Sequence, residues 1–250
     1  MRKKIMCEVS DDALRQLIRK NQIVLSGKQK RYLKLKRVLD FSCALLALLV
    51  LLPLFLLISV AIKLDSPREQ VIFRQERIGQ YNQIFMLLKF RSMKKDTPEL
   101  GTNEFWNAEQ YITRIGRFIR RTSLDELPQL WSVLCGKMSL VGARPLILRE
   151  DEVHYLRNYY GIYQLKPGIT GLAQVNGRDV MSNYEKVWWD RAYIQNVSFS
   201  MDCKILWKTI RKVITAEGIA DEKDKKNDQI SCDLVETSVH ICMSGPEHSN

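Results

Sequence analysis

Two adjacent carboxylates, Asp125 and Glu126, are the residues of this chain best suited to chemistry. They follow the arginine pair Arg120–Arg121 and precede Pro128. One carboxylate can act as a nucleophile while its neighbour helps to hold a divalent cation, and nearby guanidinium groups suit an anionic substrate. Adjacent acids more often lie on a solvated surface, so the pair alone does not establish a site.

The composition narrows the chemistry that such a pair can perform. The chain has 250 residues, enough for one globular domain and an anchor, and a formal net charge of +11, which suits polyanionic partners. Its six cysteines are scattered without a Cys-x-x-Cys pair, which argues against a zinc ribbon and a disulfide scaffold. With only three histidines, a His-based triad is disfavoured. Carboxylates, arginines, lysines and a hard cation must therefore carry the reaction.

An almost purely apolar run, Phe41–Ile62, is about as long as a bilayer is thick. Cations before it, between Lys28 and Arg37, favour a cytoplasmic N-terminal side. Pro53 stands near its middle and is expected to interrupt a helix. Two topologies are open: a plain spanning helix, or a re-entrant helix–break–helix over residues 34–64 that keeps both ends on the cytoplasmic face.

The remaining chain divides by composition and periodicity. Residues 1–33 form a polar, basic lead, and residues 220–250 are polar, charged and aperiodic, which predicts a disordered tail. Between them, residues 65–219 are expected to form the catalytic domain. Short apolar stretches at Val71–Phe73 and Ile84–Phe90 predict strands. The expected fold is α+β, mainly helical: a small cytoplasmic domain with a short β element beside the membrane helix.

Helical spacing recurs in two basic segments, Tyr111–Ile119 and Ile205–Ile214. The first is either an amphipathic interfacial helix in the lipid headgroup layer or a core helix with one solvated face. The second is predicted to be an amphipathic basic helix with an interfacial tryptophan, Trp207. Ser123 is a predicted N-cap for the next helix, with Glu126 as its capping-box partner, so a purely structural role for Glu126 stays open. Asp125 would then lie in the first helical turn, where backbone N–H groups favour anions.

Two glycine-containing loops follow the acidic pair. In the first, Arg144 stands between a glycine-containing turn and Pro145, an arrangement suited to clamping phosphate. The second loop ends at Arg178, another ligand candidate. Neither loop matches a Walker or Rossmann fingerprint.

Taken together and in order, these motifs resemble the bacterial sugar transferases of the monotopic phosphoglycosyl transferase kind. The resemblance covers about residues 34–219. Besides the proline-containing apolar run, it rests on the segments Lys89–Met93, Thr122–Leu130, Met138–Pro145 and Lys166–Arg178. The family usually has proline where this chain has Ala143.

The resemblance implies transfer of a sugar 1-phosphate from a UDP-sugar to polyprenol (undecaprenyl) phosphate, with release of UMP. Asp125 would be the covalent nucleophile, and Glu126, together with Asp125, would hold Mg²⁺. The resemblance also implies substrate-binding roles for Lys89, Arg91, Arg120, Arg144 and Arg178. Because the donor is cytoplasmic, the implied site faces the cytoplasm at the bacterial inner membrane, which favours the re-entrant topology.

The expected partners are the two substrates and membrane lipids, without nucleic acid, and a homodimer is left open. Neither the sugar nor the pathway, such as capsule, exopolysaccharide or lipopolysaccharide synthesis, follows from the sequence. One competing hypothesis is a non-catalytic, membrane-anchored protein that binds anionic lipid or nucleic acid. Another is an inactive or regulatory relative with the same scaffold.

Overall fold

The computed structural model describes residues 22–95, 97, 108–177 and 181–215. Its α-helices are α1 (Gly27–Asp65), α2 (Arg114–Arg121), α3 (Gln129–Leu134), α4 (Asp151–Tyr159), α5 (Leu172–Gly177), α6 (Asn183–Gln195) and α7 (Phe199–Thr215). Its strands are β1 (Ile72–Ile78), β2 (Ile84–Phe90), β3 (Ser139–Val141) and β4 (Gly168–Thr170). Short 3₁₀ helices span Gln80–Asn82, Ala108–Tyr111, Leu124–Glu126 and Ile162–Gln164.

Helices predominate among these elements and the strands form two small sheets, which confirms the α+β, mainly helical class. The predictions for most of the N-terminal lead, for the tail at 220–250 and for Arg178 concern residues outside the described ranges.

Helix α1 begins at a capping box rather than at the apolar run. The Ser26 hydroxyl accepts a hydrogen bond from the Gln29 backbone N–H, and the Gln29 side chain accepts one from the Ser26 N–H. The helix continues for 39 residues, about 58 Å at 1.5 Å per residue. Among the described residues, α1 alone is long and apolar enough to cross a membrane, a weak indication taken by itself.

The predicted break at Pro53 does not appear, because α1 is one helix across that residue. A proline costs the helix one hydrogen bond, and packing of both halves against the rest of the chain offsets this loss. Ala44 is buried against the region of β2 and α3, while Ile58 and Ile62 are buried near the end of β2 and α2. The re-entrant topology stays a prediction, since it concerns the orientation of α1 relative to a membrane.

The outward face of α1 is apolar and exposed. Only 11% of its most apolar stretch is buried, unlike the core helix of a soluble protein. The large exposed side chains of this face are Leu45, Leu46, Leu49, Val50, Leu52, Leu56, Leu57 and Val60. Contiguous apolar surface of this kind marks a membrane or protein contact, and the length of α1 indicates association with a membrane.

The predicted strands are confirmed and form an antiparallel hairpin. β1 pairs with β2 in a register that joins Ile72 to Phe90 and Ile78 to Ile84. The second sheet is a short parallel pair, β3 with β4. The backbone at Gly168, in β4, lies so close to the loop after β3 that an added Cβ would be 2.1 Å from the Gly142 nitrogen. This position therefore requires glycine.

A buried ionic cluster joins α1 to α7. The Lys36 ammonium group lies 2.6 Å from Asp202 Oδ2, and the hydroxyls of Tyr32 and Tyr193 donate to the same carboxylate at 2.6 and 2.7 Å. Lys36 had been grouped with the cations that flank the membrane run, and the structure instead buries it as an ion-pair partner. This contact fixes the N-terminal part of α1 to the domain.

The two predicted amphipathic helices form with slightly different bounds. α2 begins at Arg114 rather than Tyr111, because the Thr113 hydroxyl caps it by accepting a hydrogen bond from the Gly116 N–H at 2.9 Å. Its Phe118 is 60% exposed. In α7, Trp207 is 70% exposed. Exposed aromatic side chains on basic helices fit the interfacial interpretation, which stays a prediction.

Candidate active site

Asp125 and Glu126 lie in the single 3₁₀ turn Leu124–Glu126, between α2 and α3. The preceding residue, Ser123, has a left-handed backbone conformation (φ 58°) that turns the chain sharply after α2. The predicted capping box is therefore wrong: an N-cap needs extended backbone, and the Ser123 side chain makes no capping hydrogen bond. The predicted first turn of an α-helix is likewise replaced by this 3₁₀ turn.

Glu126 is 7% exposed, and its carboxylate is bound by two cations. Its Oε1 atom accepts hydrogen bonds from Lys89 Nζ at 3.2 Å and from an Arg144 guanidinium nitrogen at 2.9 Å. Lys89 comes from β2 and Arg144 from the loop after β3, so the fold assembles this triad from three separate segments. The structure thus brings two of the predicted substrate-binding residues, Lys89 and Arg144, to the acidic pair.

Asp125 is 8% exposed, but its environment differs from that of Glu126. Within the described part of the chain, no hydrogen bond or ion pair holds its carboxylate. Burial raises the pKa of Asp125, and the positive charges of Lys89, Arg120 and Arg144 act in the opposite direction. A buried carboxylate that lies beside cations and makes no such hydrogen bond is suited to nucleophilic attack in its ionised form.

Lys89 is the central cation of the site. Burial lowers the pKa of its ammonium group, while the Glu126 carboxylate raises it and the positive charges of Arg144 and Arg77 lower it. Arg77, in β1, had been assigned no role from the sequence. It donates a hydrogen bond to the Pro145 carbonyl at 3.3 Å, beside Arg144. No local sequence motif contains Arg77, so only the pairing of β1 with β2 shows that it lies near the site.

The other predicted substrate-binding residues differ in position. Arg120, in the last turn of α2, is exposed and close enough to lower the pKa of Asp125. Arg91 pairs instead with Glu69 at 3.4 Å and with the Gln70 carbonyl at 2.7 Å. β2 ends at Phe90, so strand alternation no longer directs Arg91 to the side of Lys89.

The acidic pair is the part of the site that could hold the implied magnesium ion. Within the described residues, no group of three or more His, Cys, Asp or Glu side chains could hold a metal. Mg²⁺ differs from other metals in this respect, because it is usually bound by one or two carboxylates together with waters and substrate phosphates. The oxygens of Asp125 and Glu126 fit that limited protein contribution.

The arrangement therefore offers a nucleophile beside an anion-binding cluster. Asp125 supplies a carboxylate, and Lys89, Arg120 and Arg144 supply positive charge from three segments. This combination suits phosphoryl transfer, which depends on positioning and charge neutralisation more than on acid–base groups.

The chain is similar in sequence to a known family and to several named proteins. Residues 31–216 match the family described as Bacterial sugar transferase. An uncharacterized sugar transferase, EpsL, of Bacillus subtilis (strain 168) is 42% identical over 187 residues, which cover 74% of this chain and 90% of that protein.

Relatives with more specific names share similar identity. The undecaprenyl-phosphate glucose phosphotransferase of Komagataeibacter xylinus is 41% identical over 196 residues, covering 72% of this chain and 36% of that protein. The UDP-glucose:undecaprenyl-phosphate glucose-1-phosphate transferase of Caulobacter vibrioides is 40% identical over 191 residues, covering 73% of this chain and 70% of that protein. Several of the named relatives, including that of Komagataeibacter, are thus more than twice as long as the matched region. Since the family match spans most of the chain, this protein belongs to the bacterial sugar transferase family.

Proposed function

We propose that the protein transfers a sugar 1-phosphate from a UDP-sugar to undecaprenyl phosphate and releases UMP. The observation that carries this proposal is the burial of Asp125 and Glu126 beside cations from three segments. Relatives of about 40% identity, named as transferases of this kind, support the choice of substrates.

The reaction proceeds in two displacements at one phosphorus atom. A carboxylate oxygen of Asp125 attacks the phosphorus next to the sugar, an O–P bond forms, and the bond to the bridging diphosphate oxygen breaks. That oxygen leaves with UMP. A phosphate oxygen of the lipid acceptor then attacks the same phosphorus and displaces the Asp125 carboxylate. No base is needed, because both attacking oxygens are already anionic at neutral pH.

The cations of the site neutralise the donor diphosphate. Arg144 is about two-fifths exposed and can exchange part of its contact with Glu126 for phosphate oxygens. Lys89 is more enclosed, and its positive charge lowers the pKa of Asp125 against the effect of burial. Bound Mg²⁺, held by Glu126 with Asp125, would add charge neutralisation on the diphosphate.

The competing hypothesis of a non-catalytic anion-binding protein is not favoured. A protein that used its +11 charge only for electrostatic attachment would have no need to bury an Asp–Glu pair at its cationic site. We further propose that the site faces the cytoplasm at the bacterial inner membrane, where UDP-sugars are found.

The test is UMP release by the purified protein from a UDP-sugar, with undecaprenyl phosphate and Mg²⁺ present. Asp125→Asn should lower the rate on the order of 10⁴-fold, since the amide keeps the shape but loses the nucleophile. Asp151→Asn, an exposed acid in the first turn of α4, is the matched control and should keep wild-type activity. Full activity of Asp125→Asn would remove this residue from the mechanism.

The donor sugar needs its own experiment, because the relatives are named for glucose, galactose and N-acetylgalactosamine. Measuring UMP release across a panel of UDP-sugars would identify it. Loss of release with all of them, under conditions in which the protein is folded, would overturn the proposed function.

A further inference from the structure

A largely apolar groove adjoins the acidic pair. A groove of about 430 Å³ lies between α1, α3 and α7, and Glu126 is among the residues that line it. This volume lies in the usual range for small-molecule sites. Its lining is mostly aliphatic, with Ala47 and Leu51 from α1 and Leu206, Ile210 and Val213 from α7.

One wall of the groove is polar. Ser123, Thr122 and Arg121 line it together with Glu126, and these residues flank the turn that carries Asp125. Lys212 of α7 also contributes to the lining. The groove thus combines an aliphatic interior with cationic and hydroxyl groups next to the nucleophile. This is the pattern of an amphiphile site, in which a charged head and an apolar tail are bound together.

The α7 wall of the groove is partly exposed. Ile210 is 53% exposed and Val213 is 43% exposed, so the α7 wall is open to the surroundings. Helix α1, which forms the opposite wall, exposes Leu46, Leu49 and Val50 on its outward face. Apolar side chains thus lie both in the groove and on the exposed face of α1, the helix that forms one of its walls.

We propose that this groove binds the isoprenoid chain of the lipid phosphate acceptor, in the portion next to the phosphate. The proposal rests on the proposed function and adds the position of the acceptor to it. The cations Arg121 and Lys212 complement the acceptor phosphate, and the aliphatic walls complement the chain. The groove brings the phosphate to Glu126, the residue that Arg144 and Lys89 also contact.

The proposal makes Ile210 and Val213 determinants of acceptor affinity. Both are partly exposed, so a larger side chain at either position can fill the groove without disturbing a buried core. Ile210→Trp and Val213→Trp are the test variants. Cys203→Trp is the control, since Cys203 is exposed on the same helix and does not line the groove.

The experiment measures UMP release while the concentration of undecaprenyl phosphate is varied, with the UDP-sugar selected from the panel. Ile210→Trp and Val213→Trp should each raise the KM for undecaprenyl phosphate about tenfold, because the displaced isoprene carbons lose their apolar contacts. The KM for the UDP-sugar should not change. Cys203→Trp should keep both constants.

Unchanged acceptor KM in both tryptophan variants would overturn the proposal. A fall in kcat with both KM values unchanged would also overturn it, because the groove would then hold a bilayer phospholipid or serve only packing. Absence of UMP release by the wild-type protein with every donor is a different result. It would overturn the proposed function itself, and the groove assignment with it.

Discussion

Asp125 and Glu126 are neighbours in the chain but have different surroundings, and this difference suggests that they have different roles in the reaction. Glu126 is bound by Lys89 and Arg144, so its charge is already neutralised. Asp125 is influenced by the same cations at longer range, and burial raises its pKa. The less constrained carboxylate is the better nucleophile, and the bound one is better placed to organise the cations around it.

The raised pKa of Asp125 predicts how the rate depends on pH. A protonated Asp125 cannot attack, so the rate should fall on acidification at a higher pH than an ordinary aspartate, of pKa about 3.9, would give. Lys89 is the strongest of the charges that lower the pKa of Asp125. Lys89→Met should therefore move the acid limb of the pH–rate profile to still higher pH, as measured at saturating Mg²⁺.

The control for this variant is Arg91→Met, which removes a cation that pairs with Glu69 and the Gln70 carbonyl instead. Its acid limb should coincide with that of the wild type. An unshifted limb in Lys89→Met, measured with a folded protein, would show that Lys89 does not set the ionisation of the nucleophile.

At the scale of elements, the loop after β3 positions Arg144 through hydrogen bonds to successive carbonyl groups. The Ala143 carbonyl accepts from the Gly168 N–H at 2.9 Å, the Arg144 carbonyl from Arg157 at 2.8 Å, and the Pro145 carbonyl from Arg77 at 3.3 Å. These three contacts restrain the loop that presents the arginine.

Arg157 links this loop to α6 through a buried ion pair with Asp190 at 2.6 Å. Asp190→Leu should lower the free energy of unfolding by about 3–5 kcal/mol, because it leaves the Arg157 charge buried and uncompensated. Arg157→Met combined with Asp190→Leu should lose much less, since neither charge remains. Denaturant unfolding in detergent measures both. Equal losses in the single and double variants would show that the loss comes from removing the ion pair and not from an uncompensated Arg157 charge.

At the scale of the whole molecule, α1 is part of the domain and not a separate anchor. It supplies buried residues to two hydrophobic clusters and packs Tyr32 and Leu33 against a third, and Lys36 pairs with Asp202 of α7. Its outward apolar face and the exposed aromatic side chains of α2 and α7 then indicate association with a membrane. The predicted re-entrant topology would place both ends of α1 on one side.

Cysteine labelling tests that topology. Val24 precedes α1 and Leu64 lies at its end, and both are highly exposed. In a background without the six native cysteines, Val24→Cys and Leu64→Cys should both react with an impermeant reagent only after the inner membrane is opened. Reaction of Leu64→Cys from the periplasmic side of intact cells would establish a spanning helix instead.

Much of the fold was accessible from local patterns. The strands, the amphipathic helices and the apolar helix were predicted at the right places, since each depends on periodicity in one short segment. Their bounds were predicted less well, because α1 begins at Gly27, α7 begins at Phe199 and β1 continues to Ile78. The errors arose where tertiary contacts outweigh local preference. Pro53 stays inside a helix that packs along both halves, and Ser123 adopts a left-handed turn instead of an N-cap. Lys36 is one of the cations that precede the apolar run, and no local signal shows that it meets Asp202.

The residue types in order along the chain were sufficient to locate the acidic pair, the arginine before it and the apolar segment. The folded structure decided which cations meet Glu126, that Arg91 pairs with Glu69, and that an apolar groove opens beside the nucleophile. The reason is physical. Chemistry-bearing motifs are local in sequence, whereas the charge balance and the shape of a site depend on side chains that only packing brings together, as Lys89 and Glu126 are 37 residues apart.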